Sequence, residues 1–177
     1  MRIGITGAQS VGKTTLLNAL RSEKLFKDYA ICDEGTRRVK SYGLPINEDG
    51  TDVTQLLIMN EHIYNVFMYD NMLTDRTALD GFVYSTYLFK HGKISDKAMG
   101  RVRDVFNRVW EQYDQVFYIE PEFEIVDDGT RSIDVAFRDE IAELFETTIE
   151  KRKLSMLRVK GSVRNRVNTI IDHLEGR

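Results

Sequence analysis

The stretch "RIGITGAQSVGKTTLLNALRS" at residues 2–22 constrains this chain more than any other. It sets a short apolar run, a glycine-bearing turn and a segment of helical periodicity in immediate succession. Residues 7–14, "GAQSVGKT", match G-x-x-x-x-G-K-[ST] at every fixed position, in the strand-then-helix context that the motif requires. Gly7 and Gly12 allow a tight turn whose N–H groups, Ser10 and Val11 among them, face inward. The helix that follows adds its positive end to the same spot, so the loop is built to hold an anion. Lys13 is placed to reach β- and γ-phosphates and Thr14 to ligate Mg²⁺, while Thr15 is either an α-phosphate contact or an ordinary helix-start threonine.

The rest of the chain alternates strand and helix signals, which predicts an α/β fold with a parallel sheet covered by helices on both faces. Strands are expected at "RIGIT", "YAIC", "NMLTD", "VFYIE" and "LSMLRV". Helical spacing groups Val53, Leu56, Leu57, Ile63, Tyr64 and Phe67 on one face, and Met99, Val102, Phe106, Val109, Trp110 and Tyr113 on another. Two later helices are marked by Ile141, Leu144, Phe145 and Ile149, and by Val163, Val167, Ile170, Ile171 and Leu174. All four stripes read as core. Pro45 and Pro121 are expected in loops. With 177 residues, 42% of them hydrophobic, the expectation is one domain.

Ligands of open parallel sheets bind beyond the carboxyl ends of the strands, so the charged residues after the second to fifth strands are the site candidates. "DEGTRR" at 33–38 offers Glu34 as a base for an attacking hydroxyl and Arg37 as a substrate-positioning cation; the alternative is a surface Glu34–Arg37 salt bridge. "DRTALD" at 75–80 offers Asp75 as a carboxylate for Mg²⁺ or, alternatively, as a helix cap. Arg76 is either a bidentate phosphate clamp or the partner of Asp80. "PEFEIVDDGTR" at 121–131 has the character of a lid that carries Arg131 onto a transferring group, and "KGS" at 160–162 closes the set with Gly161 and Ser162.

Several classes lose support. No N-K-x-D stretch exists for guanine recognition, no D-x-x-G follows the third strand, and Pro121 interrupts any motor-type acidic pair after "VFYIE". The net charge of -3 comes with scattered cations, unlike the basic stripe of a duplex-DNA binder. Cys32 has no partner in the chain, no signal peptide is visible and no apolar run reaches membrane-spanning length, so a soluble cytoplasmic protein in a reducing compartment is expected.

Together "GAQSVGKTT", "EGTR", "DRTALDGFVY" and "DDGTR" resemble the small P-loop kinases related to the nicotinamide riboside kinase domain of NadR, a group of AAA-type NTPase domains common in phages. The resemblance covers nearly the whole chain, and the "DR" pair is also similar to that of thymidylate and deoxynucleoside kinases. It implies a three-layer P-loop NTPase fold with five parallel strands in the order 2-3-1-4-5, a lid around 121–133 and an adenine-side loop after the fifth strand. It implies ATP and Mg²⁺ as cofactors, held by Gly7, Ser10, Val11, Gly12, Lys13, Thr14, Thr15, Gly161 and Ser162, with Thr14 and Asp75 on the metal. Glu34, Arg37, Arg76 and Asp80 become acceptor-site residues, and Lys13, Glu34, Asp75, Arg76 and Arg131 the catalytic set. The lid departs from that of adenylate kinase: Arg131 stands nearly alone, beside Asp127 and Asp128.

The expected activity is phosphoryl transfer from ATP to a nucleoside or nucleoside monophosphate, in a host cytoplasm if the chain is phage-encoded. A nucleoside hydroxyl needs a base such as Glu34 or Asp75, whereas a monophosphate needs cations such as Arg37, Arg38 and Arg76. Two alternatives stand beside it. One is a polynucleotide 5′-end kinase, hinted at by Arg101, Arg103, Arg108 and Trp110; the other is a nucleotide-dependent regulatory module.

Overall fold

The computed structural model describes residues 1–33, 35–121 and 135–176. Among these, five parallel strands form one sheet in the order β2-β3-β1-β4-β5: β1 (Arg2–Thr6), β2 (Ala30–Cys32), β3 (Met72–Asp75), β4 (Gln115–Ile119) and β5 (Leu157–Val159). All five expected strands are present, in the expected order. Apolar side chains occupy both faces of the central strands, as a sheet covered on both sides demands. Ile3, Ile5, Leu73, Phe117 and Ile119 on one face and Met72 and Tyr118 on the other are all fully buried.

The helices are α1 (Lys13–Arg21), α2 (Gly35–Ser41), α3 (Asp52–Met68), α4 (Ala78–Lys90), α5 (Asp96–Trp110), α6 (Val135–Arg152) and α7 (Val163–Glu175). α1 packs on α7 and on β1 and β3, while α4 packs between α5 and α6, with α3 against α5. Their starts are locally encoded. Thr51 caps α3 and Thr77 caps α4, each in a reciprocal capping box with the residue three positions on, Thr54 and Asp80. Ser95 caps α5, and Asp52 ties that cap to the start of α3 by accepting from Ser95 N at 2.7 Å and Ser95 Oγ at 2.6 Å. Those two bonds hold the Asp52 carboxyl below its ordinary pKa.

The helix α3 departs from its expected orientation. Val53, Tyr64 and Phe67 are exposed, and the buried face is Thr54, Gln55, Ile58, Met59, His62 and Val66. The larger apolar residues gave a recognisable stripe, but the helix turns a mixed polar face inward because that face lines a cavity. Val163 is likewise exposed at the first position of α7, where Arg166 takes the inward place. The α5 and α6 stripes pack as expected, and Trp110 stacks beside Phe106 and Tyr113 with Arg101, Arg103 and Arg108 exposed around it. That segment is a core face with a solvated rim.

Candidate active site

The loop between β1 and α1 supplies the cradle. Three of its residues adopt left-handed backbone: Gly7 at φ 145°, Ser10 at 62° and Gly12 at 87°. At Gly7 a Cβ would lie 2.6 Å from the Ile119 carbonyl oxygen, so only glycine lets the loop pass this close to β4. Lys13 is buried and its ammonium donates to the carbonyls of Gly7 at 2.7 Å and Ala8 at 2.6 Å. Gln9 Nε2 and Ser10 Oγ are buried without a hydrogen-bond partner among the described residues. Val11 is buried and Thr15 exposed.

Asp75, at the carboxyl end of β3, accepts a 2.5 Å hydrogen bond from Thr14 Oγ1. It is not a helix cap, since Thr77 fills that position. A hydroxyl and a carboxylate so close are hard oxygen donors of the kind Mg²⁺ takes beside phosphate oxygens. The residues of the cradle therefore fit a magnesium-bound triphosphate: buried polar atoms awaiting a partner, a glycine turn with no room for a side chain, and an oxygen pair at its mouth. The described residues hold no group of three or more His, Cys, Asp or Glu side chains suited to a metal.

Beside the cradle lies the second half of the site. Arg76 has φ 79°, an uncommon conformation for a residue with a long side chain and one that recurs at functional positions. Its guanidinium sits 3.6 Å from Asp80 Oδ1 and 5.2 Å from the centre of the Tyr84 ring. The ion pair with Asp80 is one of the two readings of Arg76 that the sequence offered. Asp80 in turn accepts from Thr6 Oγ1 at 2.6 Å and from Thr77 N at 2.8 Å, which joins β1 to the start of α4. Tyr84 donates to Gln9 Oε1 at 2.7 Å, so the cradle and the Arg76 side are mechanically connected. A small cavity of about 20 Å³ lies between α3 and α4, lined by Gln55, His62, Arg76, Asp80 and Tyr84 among others.

Thr14, Asp33, Arg37, Arg38 and Asp75 line an adjoining open cleft. Arg37 and Arg38 both line this cleft, and Arg38 pairs with Glu61 at 2.8 Å. Cys32 is buried nearby, and burial first, then the Asp33 carboxylate, pushes its thiol up to about 11, so it is inert as a nucleophile at neutral pH. Gly161 and Ser162 stand at the end of β5: Gly161 has φ 87°, and Ser162 caps α7 by accepting from Asn165 N. Glu34, Arg131 and the segment 122–133 lie outside the described residues.

Four contributors were not picked out from sequence. Arg166 is 1% exposed and donates to the Val11 carbonyl at 2.6 Å and to that of Gly161 at 2.8 Å, tying the cradle to the β5–α7 loop. Gln9, Gln55 and His62 are the others. A signal existed for three of them: Gln55, Ile58, Met59, His62 and Val66 follow helical spacing, as do Val163, Arg166, Val167 and Ile170.

The AAA domain family model matches residues 2–166. The chain belongs to this family. No curated protein matches it. Among solved structures, NadR in complex with NR superposes with a TM-score of 0.72 at 15% identity, covering 98% of this chain and 50% of that one. Deoxyadenosine kinase from M. mycoides, with products dCMP and dCDP, superposes with a TM-score of 0.65 at 16% identity, covering 99% of each chain. The chain thus spans about half the length of the NadR structures and the whole of the deoxyadenosine kinase. The fold of this AAA-domain chain is that of P-loop kinases.

Proposed function

We propose that the protein is an ATP- and Mg²⁺-dependent kinase whose acceptor is a nucleoside. The observation that carries this is the Thr14–Asp75 oxygen pair, 2.5 Å apart at the mouth of the cradle, beside the cavity whose wall begins at the very next residue, Arg76. A binding module needs the cradle alone; a transferase needs a second compartment within reach of it.

In this reading Gly7, Ser10, Val11 and Gly12 present backbone donors to the phosphates, Lys13 neutralises charge on the β–γ portion, and Thr14 and Asp75 hold the metal ion. Magnesium bound there would draw charge from the transferring group. Arg166 fixes the loop against the Gly161–Ser162 turn, which is placed to border the adenine. Asp75 is engaged by Thr14, which leaves the proton-accepting role to Glu34; Arg37 and the Arg76–Asp80 pair orient the acceptor, and Arg131 serves from the lid. Transfer forms a bond from the acceptor hydroxyl oxygen to the γ-phosphorus and breaks the one to the β,γ-bridging oxygen, while the hydroxyl proton passes to the carboxylate. Catalysis is then mostly positioning and charge neutralisation.

Among the acceptor classes, a nucleoside is favoured over a monophosphate. Of the three cations expected to grip a phosphate, Arg38 is paired with Glu61 and Arg76 with Asp80. The test is ADP formation from ATP and Mg²⁺ with nucleosides, nucleoside monophosphates and a 5′-hydroxyl oligonucleotide offered in turn. Stimulation by a nucleoside above all others is expected; stimulation by monophosphates alone, or by none, would overturn the assignment.

A further inference from the structure

His62 lies on the inner face of α3 and lines the cavity beside Arg76. It is 5% exposed, and neither Nδ1 nor Nε2 has a hydrogen-bond partner among the described residues. Buried polar groups in native proteins are nearly always satisfied, so a pair of orphaned nitrogens on a cavity wall points to a partner that arrives from the cavity. Gly81 on α4 lets the helices close, since a Cβ there would clash with Met59 Sδ on the α3 face that carries His62. Burial lowers the His62 pKa to about 4, with the Asp80 carboxylate pulling upward and the Arg76 cation downward. At neutral pH the ring is therefore uncharged and carries one N–H donor and one acceptor nitrogen.

The neighbouring walls have the same character. Gln55 is oriented by Ser85, whose hydroxyl donates to Gln55 Oε1 at 2.9 Å. The Tyr84 ring is already faced by the Arg76 guanidinium, and Asp80 Oδ1, which accepts no hydrogen bond among the described residues, is ion-paired with Arg76 at 3.6 Å. Among the described residues the cavity thus offers neutral hydrogen-bonding groups, while its aromatic face and its carboxylate are both taken up by an internal cation.

We propose that His62 is a specificity-determining residue of the acceptor site: its ring nitrogens exchange hydrogen bonds with the uncharged heterocyclic base of a nucleoside, and the site selects such nucleosides over pyridinium nucleosides such as nicotinamide riboside. A neutral base with adjacent donor and acceptor atoms satisfies the ring, whereas a cationic ring meets, among the described residues of the wall, the Arg76 cation and a carboxylate already ion-paired with it. The proposal rests on the kinase reading above, and the experiment separates the two.

Steady-state phosphorylation of purine and pyrimidine nucleosides and of nicotinamide riboside is measured for wild type, His62→Phe and His62→Gln, with melting temperature and ATP affinity as controls. Wild type is expected to favour one neutral-base nucleoside over nicotinamide riboside by at least about tenfold in kcat/KM. In His62→Phe the KM for that nucleoside rises roughly 10- to 100-fold while kcat stays within about threefold, and His62→Gln, which keeps a donor and an acceptor, recovers part of the loss. An unchanged KM in His62→Phe, or a preference for nicotinamide riboside, overturns this inference and leaves the kinase reading standing. A wild-type protein that binds ATP and phosphorylates no acceptor overturns both. Should His62→Phe fail to fold, the ¹⁵N imidazole resonances of wild type, which has 3 histidines, decide the matter. Movement of the His62 pair on addition of the preferred nucleoside supports the proposal, and a pair that stays still overturns it.

Discussion

The loop between β1 and α1 and the cavity between α3 and α4 both lie at the carboxyl end of the sheet, yet they are made in different ways. The cradle is a single run of nine residues whose function resides in backbone: left-handed turns at Gly7, Ser10 and Gly12, and a buried lysine bonded to two carbonyls of its own loop. The cavity is assembled from side chains of α3, α4 and the β3 end, brought together only by tertiary packing. A backbone device needs fixed spacing and so leaves a motif; a side-chain device needs only that the right groups meet, and its sequence trace is faint.

The largest expected effect bears on the cradle. Lys13→Ala should lower turnover by at least about 10²-fold, the scale on which loss of a single transition-state donor is felt, while the melting temperature barely moves. Turnover close to wild type would mean that the cradle is not where transfer occurs. The opposite behaviour is expected of α3, where Met59→Ala should cost about 2–5 kcal/mol in chemical denaturation because its side chain is fully buried. Phe67→Ala, on the exposed side of the same helix, should stay within about 0.5 kcal/mol. A costly Phe67 and a cheap Met59 would restore the orientation that the large apolar residues suggested.

That orientation shows where sequence patterns stop. All five strands were legible, because short apolar runs bounded by turns admit few other roles; their order came only from the family resemblance, and Asp75 stood out as a candidate because it ends a strand. The face of α3 was not, because Tyr64 and Phe67 outweigh Gln55 and His62 in any count of hydrophobicity, whereas the cavity requires the polar pair inside. Arg166 was missed for a related reason: an arginine at an inward position looks like an interruption of the apolar stripe until the Val11 and Gly161 carbonyls that receive it are seen.

A smaller effect follows from His62. Its pKa falls from about 6.5 in the unfolded chain to about 4 in the native one, so the unfolded state binds the extra proton between those values. Stability is complete above pH 6.5 and declines as the pH falls toward 4, by an amount on the order of a few kcal/mol that His62→Gln should largely remove. Urea denaturation at pH 7 and pH 5 of both proteins measures it, and equal pH slopes would contradict the burial of an uncharged ring. The smallest effect belongs to Asp52, whose carboxyl pKa is lowered by Ser95. Its contribution is present above the unfolded pKa and is lost as the pH falls through the native one. Asp52→Asn should therefore be slightly less stable than wild type at pH 7, with the difference vanishing under strongly acidic conditions.

The most direct test of the central claim follows the γ-phosphorus itself. Protein, Mg²⁺ and γ-³²P-labelled ATP are incubated with the nucleoside that best stimulates ADP formation, and the label is separated into nucleoside monophosphate and inorganic phosphate. A cradle that feeds an acceptor cavity predicts label mainly in the monophosphate, and loss of that product in Lys13→Ala. Label released only as inorganic phosphate, at a rate indifferent to the nucleoside, would contradict it.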